Sequence, residues 1–273
     1  MKNHLQPVSI GILGMGKMGE ALVKGLRRNK SAAYDVLATT RSVQSAADVH
    51  QRLGITCHND NTKLIDQAQI VILCVKPHQA QAILKSVASH LTEGHLLISV
   101  CASLTIQQIS LWSGGKAQVI RAMPNTPCLI GEGMTGISAA SNVDKKHLEL
   151  AREVFDTVGR TIEIEEALMD GVTGLSSCGP AYVYLIIEAL SEAGVKVGLP
   201  RKVATLLAAQ TMLGASKMVL ERPEHPAALK DEVTTPAGCT IDGLMALEEG
   251  KLRVTLIKAV LAATKRSRKL REG

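Results

Sequence analysis

Aromatic side chains are scarce, with one Trp, three Tyr and one Phe in the chain. Proteins that hold single-stranded nucleic acid stack bases on aromatic rings. Tyr34, Trp112, Phe155, Tyr182 and Tyr184 are too few and too scattered to build such a platform. The six cysteines (Cys57, Cys74, Cys101, Cys128, Cys178 and Cys239) include no C-x-x-C pair. That pattern argues against a zinc site or a disulfide framework and suits a reducing compartment, so no metal is expected. No run approaches the roughly 18 apolar residues that a membrane span requires. The opening MKNHLQPVSIGILG lacks the long apolar core and small-residue cleavage site of a signal peptide. A soluble cytoplasmic protein with no membrane partner is the expectation. The net charge of +6 is concentrated at one end, where Lys265, Arg266, Arg268, Lys269 and Arg271 fall within the last nine residues. This tail reads as a solvated helix end whose cations complement the helix dipole, and no nucleic-acid partner is expected.

What is present is an ordinary globular composition, 46% hydrophobic and 21% charged, in a chain long enough for two moderate domains. The first 165 residues alternate short apolar runs with amphipathic stretches. Strands are expected at Val8–Leu13, Val36–Thr39, Ile70–Val75, Leu96–Cys101, Gln118–Arg121, Gly136–Ala139 and Thr161–Ile164. Several are apolar on consecutive residues, as strands buried on both faces of a parallel sheet must be. Helical patterns lie between them at Met18–Arg28, Gln44–Leu53, Gln79–His90, Thr105–Trp112 and Lys145–Val158, and Thr105 with Gln108 forms a capping box. This alternation specifies an α/β fold with a doubly wound sheet. After Ile164 the strand signals stop, and Tyr182–Lys196, Arg201–Val219, Pro226–Glu232, Ile241–Glu249 and Val254–Lys269 read as helices. Domains at 1–165 and 166–273 follow. Between Tyr182 and Leu190 apolar residues cover nearly the whole helix circumference, which must be buried, in part against a second subunit.

Gly14-Met15-Gly16-Lys17-Met18-Gly19 follows the first strand and opens the first helix. In that context G-x-G-x-x-G is a dinucleotide fingerprint. Gly14 makes the turn, Gly16 lets backbone approach a pyrophosphate, and Gly19 allows close helix–strand packing. The end of the second strand, Ala38-Thr39-Thr40-Arg41-Ser42, has no carboxylate to hold a ribose 2′-hydroxyl. Arg41 instead suits a 2′-phosphate, with Thr40 and Ser42 adding hydroxyls, so NADPH is expected and NADH only as a weaker cofactor. Lys76-Pro77, Cys101-Ala102-Ser103 and the loop Arg121–Pro127, which contains Asn125, also end strands at the edge where ligands bind.

Taken together, the strings ILGMGKMGEAL, VILCVKPHQ, VIRAMPNTPCLIGEGMTGI, GLSSCGPAYVYLIIEALSEAGVKVGLPR and HPAALKDEVTTPAGCTIDGLMALEEG resemble pyrroline-5-carboxylate reductase along nearly the whole chain. The last string is the family's diagnostic segment. The resemblance implies reduction of Δ1-pyrroline-5-carboxylate to proline by an N-terminal Rossmann-type domain joined to an all-helical dimerisation domain. It implies a homodimer or larger homo-oligomer, in which cofactor and substrate loops come from different subunits. Carried over by position, Gly14–Gly19 hold the pyrophosphate, Thr40, Arg41 and Ser42 the adenosine phosphate, and Asn61 a ribose. Val75, Lys76 and Pro77 contact the cofactor at a strand end, and Cys101, Ala102 and Ser103 form the turn beside the nicotinamide. Thr235, Gly238, Cys239 and Thr240 receive the substrate carboxylate and ring nitrogen. Cys178, Ala237, Cys239 and Glu232 depart from the family's usual residues.

Hydride transfer to a protonated imine needs no buried acid, which agrees with the absence of a Ser–Tyr–Lys or Asp–His constellation. Thr240 is the candidate catalytic residue, its hydroxyl set against the ring nitrogen, with a second reading as the N-cap of the Ile241 helix. Backbone N–H groups near Gly238–Thr240 would hold the carboxylate. Two rivals stand beside this reading. One is another NADP-linked imine or β-hydroxy-acid reductase, and the other a non-catalytic dinucleotide-binding regulator.

Overall fold

The computed structural model describes residues 7–28 and 34–272. Its strands are β1 (Val8–Leu13), β2 (Tyr34–Thr39), β3 (Thr56–His58), β4 (Ile70–Leu73), β5 (Leu96–Ser99), β6 (Gln118–Met123), β7 (Gly133–Ala139) and β8 (Gly159–Glu163). Helices α1 (Lys17–Arg28), α2 (Val43–Leu53), α3 (Asn61–Ile65), α4 (Pro77–Val87), α5 (Ile106–Trp112) and α6 (Lys145–Asp156) alternate with them. Then come α7 (Met169–Val172), α8 (Gly179–Lys196), α9 (Arg201–Glu221), α10 (Pro226–Glu232), α11 (Cys239–Glu249) and α12 (Leu252–Glu272). The chain divides into two compact units. The described residues up to Ser177 and those from Ala263 onward form one, and Cys178–Ala262 form the other.

The first unit is a single eight-stranded sheet in the order β3-β2-β1-β4-β5-β6-β7-β8. All pairings are parallel except β6 with β7. Side chains alternate along each strand, so the sheet carries two cores. Ile10, Ile12, Ala38, Ile70, Ile72 and Ile98 pack on one face with Leu22 and Leu26 of α1 and Phe155 of α6. Leu13, Leu37, Val71, Leu73 and Leu97 pack on the other with Leu64 of α3, Leu84 of α4 and Ile109 of α5. This is the doubly wound arrangement expected. The capping box at Thr105 and Gln108 is present, each side chain accepting the other's backbone N–H.

Three features depart from the expectations. β3 and α3 are additional, spanning three and five residues respectively, too short for any period to register. β4 and β5 stop at Leu73 and Ser99, which places Cys74–Lys76 and Val100–Ser103 in the loops at the sheet edge. The basic tail is not simply a solvated helix end. Ser267 is buried and its hydroxyl donates to Asp170 Oδ1 at 2.7 Å, while Arg271 lies 3.3 Å from Asp170 Oδ2. Nearby Arg121 of β6 is fully buried, with Glu166 Oε1 at 3.5 Å. Burial holds its guanidinium below the usual range, against the opposing pull of Glu166 and Asp170.

The second unit is wholly helical among its described residues, and α8 packs on α9. Only Ser191, Ala204 and Ala208 are buried in it. Tyr184, Leu185, Leu190, Leu206, Leu213, Met245 and Ile257 are exposed large apolar groups. Apolar surface so extensive marks an interaction face. α9 is the one helix among the described residues long and apolar enough to cross a membrane by length and composition, at a mean hydropathy of 1.4. Arg201, Lys202, Gln210 and Lys217 interrupt it.

Candidate functional site

The carboxyl edge of the sheet is assembled strand by strand through backbone hydrogen bonds. Cys74 N–H donates to Leu13 O at 2.8 Å, Gly14 N–H to Thr39 O at 3.2 Å, Thr40 N–H to His58 O at 3.0 Å and Val100 N–H to Leu73 O at 3.1 Å. The loops after β1, β2, β3, β4 and β5 therefore leave the sheet side by side. The reversal of winding falls between β1 and β4, where open α/β sheets leave a crevice.

Gly14 has φ +95°, and a Cβ there would lie 2.7 Å from Val75 Cγ1 and 2.9 Å from Cys74 O. Only glycine fits. A Cβ on Gly19 would meet Gly14 O at 2.7 Å, so α1 sits hard against the turn, whereas Gly16 opens onto free space. The first helical bond is Glu20 N–H to Gly16 O. The N–H groups of Lys17, Met18 and Gly19 precede it and keep no helical acceptor. This is an unblocked anion cradle with the dipole of a 12-residue helix behind it. Its first-turn carboxylate, Glu20, is engaged by Arg52 at 2.7 Å, which holds the carboxyl below the usual range. The backbone and the open space at Gly16 thus fit a pyrophosphate.

At the end of β2 the Arg41 side chain is exposed, with Thr40 half-buried beside it. Ser42 caps α2 by accepting Ser45 N–H at 3.2 Å, and Thr40 Oγ1 donates to Ser42 O at 3.2 Å. The turn is thus pre-formed beside the Arg41 guanidinium, which has no ion-pair partner among the described residues. Asn61, at the first position of α3, accepts from Thr39 Oγ1 at 2.7 Å. Lys76 is the N-cap residue of α4, with Pro77 at the first turn, and Val75 lines the Gly14 turn. Cys101 Sγ donates to Val75 O at 3.1 Å and ties the loops after β4 and β5 together. Burial pushes the Cys74 and Cys101 thiols above their usual range, so both stay protonated and serve as packing groups. Ser103, following Ala102, is nearly buried at φ +63°, a left-handed conformation costly for a residue with a Cβ and one that recurs at ligand-binding turns. Asn125 is a structural tie, its Oδ1 accepting Met134 N–H at 2.9 Å and its Nδ2 donating to Ser176 O at 3.3 Å.

The remaining candidates lie in the second unit. Gly238 N–H donates to Thr235 O at 3.0 Å, which closes a turn. Gly238, extended at φ −82° and ψ 159°, is the N-cap residue of α11, and no side chain caps this helix. Thr240 is therefore inside the first turn and is not the cap. The helix starts at Cys239, two residues before the expected Ile241, with extended Gly238 just ahead of it. The uncapped N–H groups of Cys239 and Thr240 face outward from an 11-residue helix. Ala237, where the family usually has glycine, takes φ +56°. Glu232 is held by Arg222 in a two-pronged contact at 2.6 and 2.7 Å, so its carboxylate is already committed. Among the described residues no group of three or more His, Cys, Asp or Glu side chains is placed to hold a metal ion. Sequence reasoning missed Thr39 as the partner of Asn61 and the strained backbone of Ser103.

Comparison with known proteins bears on both units. Residues 166–270 match the family model for pyrroline-5-carboxylate reductase dimerisation. Residues 9–103 match that for NADP oxidoreductase, coenzyme F420-dependent. The pyrroline-5-carboxylate reductase of Arabidopsis thaliana is 37% identical over 265 residues, covering 97% of this chain and 96% of the plant protein. That of Synechocystis sp. is 40% identical over 264 residues, covering 96% and 98%. The crystal structure of Plasmodium falciparum pyrroline carboxylate reductase with NADP bound superposes with a TM-score of 0.87 at 32% identity, covering 98% of this chain and 99% of that one.

Proposed function

The chain belongs to the pyrroline-5-carboxylate reductase family, and from that premise we propose that it transfers hydride from NADPH to the C=N bond of Δ1-pyrroline-5-carboxylate, giving L-proline. The observation that carries the reading is the turn Thr235–Gly238 leading into an uncapped α11. It is a ready receptor for a small carboxylate in the segment most particular to this family.

NADPH, when bound, supplies the hydride. Met15, Gly16, Lys17, Met18 and Gly19 hold its pyrophosphate by backbone N–H groups, and Gly14, whose own N–H goes to Thr39 O, makes the turn that presents them. Thr40, Arg41 and Ser42 grip the 2′-phosphate, and Asn61 meets the ribose. Val75, Lys76 and Pro77 border the cofactor on one side, with Cys101 and Ala102 beside the nicotinamide. In the second unit the N–H groups at Cys239 and Thr240 hold the substrate carboxylate, and Thr235 and Gly238, whose own N–H closes the turn, present them. The iminium N–H donates to Thr240 Oγ1, which selects the protonated, electrophilic form of the imine. With that proton already on nitrogen, the residues have only to place the imine carbon, and no buried acid is required.

We assign NADP binding to residues 1–165, and dimerisation and substrate binding to residues 166–273. The match of 166–270 to the dimerisation model and the exposed apolar helices of that half support a homo-oligomer, and the reading places it in the cytoplasm. The reading calls for neither a membrane nor nucleic acid as a partner. The test is NADPH oxidation on addition of pyrroline-5-carboxylate, with proline identified as product and NADH turned over more slowly. A protein that binds NADPH but forms no proline would overturn the reading.

A further inference from the structure

The last residue of β2 and the first residue of α3 make a contact with a consequence for cofactor choice. Thr39 is 2% exposed, and its hydroxyl donates to Asn61 Oδ1 at 2.7 Å. In register it stands between Leu13 of β1 and His58 of β3, one residue before Thr40 and two before Arg41. The helical turn that carries Asn61 is fixed as well. Asp60 caps α3 by accepting Thr62 N–H at 3.0 Å and the Thr62 hydroxyl at 2.8 Å.

A primary amide has an accepting end and a donating end. The Thr39 hydroxyl engages Oδ1, so Nδ2 is the end left for a ligand at this edge. Without that hydroxyl the amide is free to turn and present Oδ1 instead. The difference matters unequally to two ligands. A ribose 2′-phosphate only accepts, and an amide oxygen facing it is repelled. A ribose 2′-hydroxyl both donates and accepts, and tolerates either orientation.

We propose that Thr39 is a positioning residue for cofactor selection, which acts through Asn61 by fixing its amide as a donor toward the 2′-phosphorylated ribose of NADPH. The proposal rests on the reading that the carboxyl edge of the sheet binds NADPH. It adds to Arg41 a second, buried determinant that carries no charge.

The experiment is a titration of the full chain with NADPH and, separately, NADH, followed by the nicotinamide fluorescence of each. Thr39→Val keeps the side-chain shape and removes the hydroxyl. It should weaken NADPH about tenfold, the cost of one lost charge-assisted hydrogen bond, and leave NADH within about twofold. Thr39→Ser should restore NADPH binding. Asn61→Asp, a change on the partly exposed partner, lacks the donor and adds a charge that repels the phosphate, and should show a selective loss at least as large even if the buried Thr39→Val variant does not fold. Equal losses for both cofactors, or NADPH binding unchanged in Thr39→Val or in Asn61→Asp, would overturn the proposal. Failure of the unaltered protein to bind NADPH would instead overturn the cofactor reading, and this proposal with it.

Discussion

In the proposed reading Arg41 and Thr240 divide the recognition of cofactor and substrate between two side chains that can be tested apart. Arg41 is exposed at the end of β2, free to meet a phosphate. A charge-assisted contact of that kind is worth about 1.5–3 kcal/mol. Arg41→Ala should therefore raise the Michaelis constant for NADPH roughly tenfold to a hundredfold and leave that for NADH nearly unchanged, and equal losses would make Arg41 merely structural. Thr240→Val should lower kcat/KM for pyrroline-5-carboxylate by a similar about 1.5–3 kcal/mol, with NADPH affinity unmoved and activity recovered in Thr240→Ser. Because Gly238 and not Thr240 occupies the cap position, the valine variant should melt with the wild type. Full activity in that variant would leave substrate positioning to the backbone alone. Gly14, Arg41 and the missing carboxylate carry meaning by their place after a strand. Thr39 was not legible, because its proposed role depends on a hydrogen bond to a residue 22 positions away.

Helix ends are where sequence and structure agree best and also where they part. Asp144 is the N-cap residue of α6. It accepts His147 N–H at 2.8 Å and the His147 ring at 2.9 Å, with Gln118 Nε2 at 3.3 Å. The His147 backbone bond, then its side chain, bring the carboxyl down to about 2. The folded value lies below the ordinary value of about 3.9. The stabilisation is therefore complete above that ordinary range and is lost as the pH falls through about 2. Melting temperature followed against pH should fall over that window in the wild type, whereas Asp144→Ala should start lower and show a shallower acid limb. Parallel profiles would refute the assignment. Long amphipathic helices such as α1, α2 and α6 declared themselves by period. β3 and α3 did not, although Asp60 followed by Thr62 carried the signal of a capped turn.

At the scale of the whole molecule, the exposed apolar side chains of α8, α9, α11 and α12 require a partner. Sequence alone led to the expectation that Tyr182–Leu190 would be covered, yet Tyr184, Leu185 and Leu190 are exposed in the single chain. That surface was legible as apolar because nearly every residue of the stretch is hydrophobic. The docking of Ser267 and Arg271 on Asp170 was not, since the partners are about a hundred residues apart. Light scattering at low micromolar concentration should find no monomer, and an active, stable monomer would contradict an obligate assembly. The central claim, that hydride passes from NADPH to the imine carbon of pyrroline-5-carboxylate, is tested most directly with NADPH fully deuterated at nicotinamide C4. The product should be proline carrying one deuterium, on the ring carbon that was double-bonded to nitrogen. Proline without deuterium at that carbon, or oxidation of the labelled cofactor without proline, would contradict the account.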